Sequence, residues 1–266
     1  HLDIYGTAEA YRESFEKFTS LIRPDGCLLI KKGINVTPRL QEGVKKYTYS
    51  VTEIADFYAE NIRICDGNIT FDFVGPEIRI PDVELGVPVK VNIENGVAAM
   101  AIAWLNGVKP EDLKKGMATF AGPRRRFDFH LKTDQVVLID DYAHHPQEIH
   151  ATLSAAKNYP HKTLWCVFQP HTYTRTKALM DEFAQALSLA DKVVLADIYA
   201  ARETDTLGIS SKDLQEKISL LGTDAHYFST FDEIEDFLLE NCVPQDLLIT
   251  MGAGDVYKIG EHLLGL

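Results

Sequence analysis

Between residues 136 and 251, five short apolar runs alternate with stretches of helical spacing, and this alternation limits the fold more than any other feature. The runs are Val136–Ile139, Thr163–Phe168, Lys192–Ala196, Ala225–Phe228 and Leu247–Met251. Helical patterns occupy roughly 146–157, 173–190, 210–220, 231–240 and 254–264. Strands that are apolar throughout are buried on both faces, and helices between them act as crossovers. The fold class read from this half is α/β, with a mostly parallel sheet covered by helices. In such sheets function gathers where strands end. That rule selects Asp140–Pro146, Gln169–Arg175, Asp197–Glu203 and Gly252–Asp255.

The first 120 residues have a different character. Thr7–Ile22 carries Ala8, Tyr11, Phe15, Phe18, Leu21 and Ile22 at helical spacing, with Thr7 as N-cap and Pro24-Asp25-Gly26 as the closing turn. Cys27–Ile30, 47–50, 58–65 and 69–74 read as strands, the last two joined through Asp66-Gly67-Asn68. Asn92–Leu105 is a strongly apolar helix, and Pro110–Met117 is a short one with Pro at its first position. The composition shift near residue 120 divides the chain into domains 1–122 and 123–266.

Charge and cysteine usage exclude several classes. With 27 Lys and Arg against 39 Asp and Glu, the net charge is −12, which argues against a nucleic-acid binder. No run of 18 apolar residues exists to insert in a membrane. Cys27, Cys65, Cys166 and Cys242 are far apart, with no CxxC, as in a reduced cytoplasmic protein. The opening His1-Leu2-Asp3 has no Met and no secretory pattern, which reads as a trimmed or partial chain.

Five strings carry groups able to do chemistry. Asp140-Asp141-Tyr142-Ala143-His144-His145-Pro146 brings carboxylates, a phenol and imidazoles to a strand exit; helix capping would use the same residues. Gln169-Pro170-His171-Thr172-Tyr173-Thr174-Arg175 puts a guanidinium at a helix start, suited to a carboxylate or phosphate unless it is a plain surface Arg. Arg124-Arg125-Arg126 at the domain junction is either a phosphate clamp or a solvated linker. Asn92 and Asn95 offer carboxamides to a purine edge, though Asn92 could simply be an N-cap. Gly252-Ala253-Gly254-Asp255 suits tight packing of the last helix better than a dinucleotide. His150, His161, His226 and His262 have no metal spacing, and Asp232–Glu240 reads as a solvated helix face. No G-x-x-x-x-G-K-[ST] phosphate loop occurs.

In this order, the strings resemble the Mur ligase family. The matching strings are His1-Leu2-Asp3, Asn92-x-x-Asn95, Phe120-x-Gly122-x-x-Arg125-Arg126-Phe127, Asp141–Pro146, Phe168–Thr176 and Gly252–Asp255. The resemblance implies the second half of a central ATPase domain followed by a Rossmann-like C-terminal domain, with the sugar-nucleotide domain and phosphate loop upstream of His1. It implies ADP-forming ligation of L-alanine to the carboxylate of UDP-N-acetylmuramate through an acyl phosphate, a step of peptidoglycan precursor synthesis. ATP and Mg²⁺ would be the cofactors, and the isolated chain would be inactive. His1 would ligate Mg²⁺. Asn92 and Asn95 would contact adenine, and Arg125 and Arg126 the ATP phosphates. Asp141 and Tyr142 would face the nucleotide, while His144 and Arg175 would position the amino acid. Domain closure around ATP would turn on Arg124–Phe127. Two positions depart from the pattern: Val91 precedes Asn92 where many relatives have His, and Thr172 stands where many have Arg. The alternatives are a tripeptide-recycling ligase on the same sugar nucleotide and, from another class, a dinucleotide-dependent oxidoreductase.

Overall fold

The structure, a computed structural model, describes residues 5–65, 67–204 and 207–266. The chain forms two compact units. One comprises His1–Arg63, Ile69–Gly86 and Val91–Phe120, and the other Ile64–Asn68, Val87–Lys90 and Ala121–Leu266.

In the first unit, helix α1 (Ala8–Thr19) starts where the Thr7 hydroxyl accepts the Ala10 N–H at 3.1 Å. Its apolar stripe stays largely uncovered: Phe18 is 67% exposed and Thr19 is its one buried residue. Five strands follow: β1 (Cys27–Lys31), β2 (Lys45–Ser50), β3 (Phe57–Cys65), β4 (Asn68–Gly75) and β5 (Ile78–Glu84), hydrogen-bonded in that order. β1, β2 and β3 run parallel, and β5 returns antiparallel to β4. Sequence reading missed β5 because Pro81 interrupts it; an edge strand tolerates that Pro. The β4–β5 register slips between Phe71 and Phe73. Asp72, at the slip, accepts from Asn61 Nδ2 at 2.9 Å and from the Asp82 N–H at 3.0 Å. Helices α2 (Lys90–Leu105) and α3 (Pro110–Thr119) complete the unit. Ile93, Val97 and Met100 of α2 and Leu113 of α3 pack with Phe57, Phe71 and Phe73 of the sheet. Because α2 begins at Lys90, Asn92 sits inside its first turn and is not its N-cap.

The second unit holds a six-stranded sheet. Its strands are β6 (Asp128–Lys132), β7 (Val137–Asp141), β8 (Leu164–Phe168), β9 (Lys192–Leu195), β10 (Asp224–Tyr227) and β11 (Leu247–Met251). The order is β10-β9-β8-β11-β7-β6, parallel except for β6 at one edge. Its helices are α4 (Pro146–Ala156), α5 (Tyr173–Ala178), α6 (Met180–Leu187), α7 (Ser211–Leu220), α8 (Phe231–Asn241) and α9 (Tyr257–Leu263). Alternation along each strand sorts the core into two layers. Ile139, Cys166, Phe168 and Ile249 pack with Ile149, Phe183 and Leu214, from α4, α6 and α7. Leu138, Trp165, Val167 and Leu248 pack with Ile234, Leu238 and Ile259, from α8 and α9. Neighbouring strands β7 and β11 therefore send the chain to opposite faces, and ligands of such sheets bind outside the C-terminal ends at a switch of this kind.

Two expectations for this unit are corrected. The helix expected over 173–190 is two helices, broken at Leu179 (φ −118°, ψ 25°). Asp140 and Asp141, expected just past their strand, are its last two residues. All four cysteines are free thiols, with Cys166 buried and Cys65 exposed. No helix among the described residues is long and apolar enough to cross a membrane.

Candidate active site at the strand exits

The turn Arg125–Phe127 is bent into the left-handed region at both ends, with φ +60° at Arg125 and +50° at Phe127. Such angles cost roughly 1 kcal/mol or more apiece in a non-glycine residue, so surrounding bonds must hold them. The β7 exit supplies those bonds. The Phe127 N–H donates to Asp141 Oδ2 at 2.8 Å, and the Tyr142 N–H donates to the Arg125 carbonyl at 2.6 Å. The Phe127 ring is buried beside Phe129 and Tyr159.

Arg125 points into its own domain. Nε donates to Asp140 Oδ2 at 2.9 Å, Nη1 to the Gly254 carbonyl at 3.0 Å and Nη2 to the Gly252 carbonyl at 2.6 Å. Its guanidinium lies 4.9 Å from the Tyr142 ring centre and 4.6 Å from that of Tyr257. Asp140 is 1% exposed and also accepts from the Thr250 hydroxyl at 2.8 Å. Burial pushes the Asp140 carboxyl up, against the lowering pull of Thr250 and Arg125. The glycines of the β11 exit are there for room. A Cβ on Gly254 would sit 2.2 Å from Gln169 Oε1, the atom that accepts the Asp255 N–H at 3.0 Å.

Asp141 is turned inward as well. Oδ1 accepts the Ala143 N–H at 2.8 Å, Oδ2 is held by Phe127, and the residue is 5% exposed. Burial raises its pKa to about 6, against the lowering effect of those N–H donors. Asp141, expected to face a nucleotide, closes with its carboxylate the loop that carries the arginines. Arg125, expected on the ATP phosphates, has an acceptor in this domain for each of its side-chain nitrogens.

Arg126, Tyr142 and His144 form the outward layer. The Arg126 guanidinium is 50% exposed, 3.7 Å from Glu148 Oε1 and 5.6 Å from the Tyr142 ring centre. His144 Nδ1 lies 2.9 Å from the Tyr142 carbonyl and 3.5 Å from Glu148 Oε2. A carbonyl can only accept, so Nδ1 carries a proton, and in the neutral ring Nε2 is the acceptor. Glu148 also accepts the His144 and His145 N–H groups at 3.1 and 3.2 Å, which ties this loop to the start of α4.

The β8 exit adds a second cluster. The His171 ring is 5.9 Å from the His144 ring and stacks on Tyr199 at 5.6 Å. Burial and the neighbouring Arg175 and His144 hold the His171 pKa below its usual value. His171 Nδ1 and Arg175 Nη1 are both buried without a hydrogen-bond partner. Thr172 has φ +67°, and its N–H donates to the Tyr199 carbonyl at 2.9 Å. Sequence reasoning missed Tyr199 and Glu203 as individual residues, although the strand-exit rule had selected their segment.

Asn92 and Asn95 belong to the first unit, where Asn95 Nδ2 donates to Asn92 Oδ1 at 3.2 Å. His1, the expected Mg²⁺ ligand, lies outside the described residues.

Comparison with known proteins bears on both halves. Residues 1–103 match the Mur ligase middle domain, and residues 125–254 match the Mur ligase, glutamate ligase domain. The chain belongs to the Mur ligase family. This Mur ligase chain is 69% identical, over 98% of its length, to UDP-N-acetylmuramate–L-alanine ligase of Parabacteroides distasonis, and spans 56% of that protein. It is 51% identical over its whole length to the protein of the same name in Phocaeicola vulgatus, spanning 57% of it. The chain thus spans little more than half the length of these curated relatives. Its fold matches the crystal structure of UDP-N-acetylmuramate-alanine ligase MurC from Thermotoga maritima, with a TM-score of 0.82 at 24% identity, covering 100% of this chain and 56% of that one. Membership in this family sets aside the oxidoreductase alternative.

Proposed function

We propose that this chain is the middle and C-terminal part of an ATP-dependent, ADP-forming ligase that joins L-alanine to the carboxylate of UDP-N-acetylmuramate in the cytoplasm. Its divisions would be a middle-domain portion over 1–122 and a C-terminal domain over 123–266. The names of its relatives support the substrates. One structural observation carries the reading: buried Arg175 Nη1 and His171 Nδ1 have no hydrogen-bond partners, and the His144 ring lies beside His171. Leaving buried polar groups unmatched is costly, and a ligand that matches them removes that cost. A carboxylate flanked by an amino group fits this set.

ATP, when bound, supplies the phosphoryl group that activates the muramate carboxylate. Arg126 is the cation for phosphoryl oxygens, because its guanidinium is half-exposed and held only loosely by Glu148. Tyr142, packed against both arginines and His144, sets their spacing. The Arg175 fork takes the carboxylate of the incoming amino acid. His144 accepts a hydrogen bond from its amino group through Nε2. Asn95, with Nδ2 engaged by Asn92, offers Oδ1 to the exocyclic amine of a purine. Arg125, Asp140 and Asp141 hold this layer in place without touching substrate. Among the described residues no group of three or more His, Cys, Asp and Glu is placed to hold a metal ion. Mg²⁺ therefore stays with His1 as an expectation, and no step here passes through it.

The test is ADP release by the complete protein with UDP-N-acetylmuramate and Mg·ATP, offering L-alanine and a tripeptide separately. Release that depends on L-alanine is the expected result. Release with the tripeptide alone would move the chain to the recycling branch, and silence with both would overturn the reading.

A further inference from the structure

The β8 and β9 exits are fastened together at several points. The Tyr199 N–H donates to the Pro170 carbonyl at 2.8 Å, Thr172 returns a bond to Tyr199 at 2.9 Å, and the His171 and Tyr199 rings stack. One fastening is charge-assisted. Glu203, beyond β9, accepts the Thr174 N–H at 3.0 Å through Oε2 and the Thr174 hydroxyl through Oε1. The carboxylate is held below its usual range first by the Thr174 hydroxyl and then by backbone N–H groups, so it is charged at neutral pH. Thr174 immediately precedes Arg175, and the turn it belongs to contains Thr172 in the left-handed region. A strained turn keeps its shape only while neighbouring bonds over-determine it.

We propose that Glu203 is a positioning residue of the ligase site: its carboxylate fixes the Thr172–Arg175 turn and so aims the Arg175 guanidinium at the amino acid. This rests on the ligase reading above. The Glu203 charge acts as well as its shape. The groups acting on His171 are Arg175 and His144, which lower its pKa along with burial, and Glu203, which raises it. Removing the Glu203 charge leaves His171 facing two cationic or potentially cationic neighbours, so its pKa falls further.

Two readouts on the complete protein separate the clamp from the reading beneath it. In turnover assays, Glu203→Gln should raise KM for L-alanine about tenfold, the loss of one charge-assisted hydrogen bond, with kcat within about threefold. Glu203→Asp, which keeps the charge, should recover part of that loss. Thr174→Val removes one donor and keeps the carboxylate, so it should raise KM about threefold. By NMR titration, which needs no turnover, the His171 imidazole should titrate lower in Glu203→Gln than in the parent and be unmoved in Thr174→Val. An active enzyme whose KM is untouched by Glu203→Gln and Thr174→Val would overturn the proposal. If the parent protein shows no L-alanine-dependent ADP release, the ligase reading fails on its own. The clamp is then judged by His171, and an unmoved titration in Glu203→Gln would overturn it. Should Glu203→Gln not fold, Thr174→Val decides through KM.

Discussion

Arg125 and Arg126 are adjacent, yet their surroundings assign them different tasks. Arg125 is paired with Asp140, which is nearly inaccessible to water, and its fork closes on two glycine carbonyls. Removing one partner of a buried pair leaves the other charge uncompensated, so Arg125→Ala should cost about 3 kcal/mol in urea unfolding. Arg126→Ala touches no buried partner and should leave stability within about 0.5 kcal/mol. In the complete enzyme it should instead lower kcat at least ~100-fold, the usual loss for one charge-stabilising group. A loss under about fivefold would remove Arg126 from the mechanism. Asp141 gives a pH signature. Its carboxyl is pushed up to about 6 by burial, whereas an unfolded Asp ionises near about 3.9. Between those values the folded chain binds more protons than the unfolded one. Stability should therefore fall as pH rises from about 4 to about 6, by up to about 3 kcal/mol. Asp141→Asn should abolish that fall, and denaturation midpoints across the window would show it.

At the scale of elements, the site depends on three loops meeting, and the β11–α9 turn is the tightest of them. Gly254→Ala would drive a methyl into Gln169 Oε1. The side chain must move, the Asp255 bond is lost, and the carbonyl that receives Arg125 Nη1 shifts. Overpacking of this kind costs typically 1–3 kcal/mol. Gly254→Ala should show that loss in urea unfolding and a lowered rate of ADP release in the complete enzyme. Helix starts matter more locally. Thr230 accepts the Glu233 N–H at 3.3 Å and Glu233 returns to the Thr230 N–H at 3.1 Å, a reciprocal cap on α8. Thr230→Ala should cost about 1 kcal/mol in the same measurement and leave the active site unaffected.

For the whole molecule, the chain resolves into two units, each with its own core. The second meets the requirement of an α/β domain within its own residues: both sheet faces are covered, and β7, β8, β9 and β11 each contribute to two core layers. The first leaves the apolar stripe of α1 exposed. No phosphate-loop motif occurs anywhere in the 266 residues. The chain by itself should therefore release no ADP above background, even at tenfold higher concentration. Steady release by the purified chain would contradict this.

The pattern of apolar runs was enough to place four of the five parallel strands of the second sheet within one residue at each end, because strands buried on both faces must be apolar throughout. The remaining one, β7, runs two residues further into the acidic pair than its apolar run suggested. Capping chemistry located the starts of α1 and α3 for an equally local reason. Chain order and residue type also marked the exits where His144 and Arg175 lie and the junction that carries Arg126. What sequence could not decide was which way a polar side chain turns. Asp141 and Arg125 have the composition of a ligand-binding pair, and only the packing of β7 against β11 shows that both face inward. β6 was missed because Asp128–Lys132 alternates polar and apolar residues, as an edge strand can, and offers no apolar run, and Leu179 breaks a helix whose spacing looked continuous. Glu203 became visible only when β9 was laid beside β8, because its partner Thr174 is 29 residues away along the chain. Periodicity reports burial along one element, whereas the direction of a charge is set by the elements beside it.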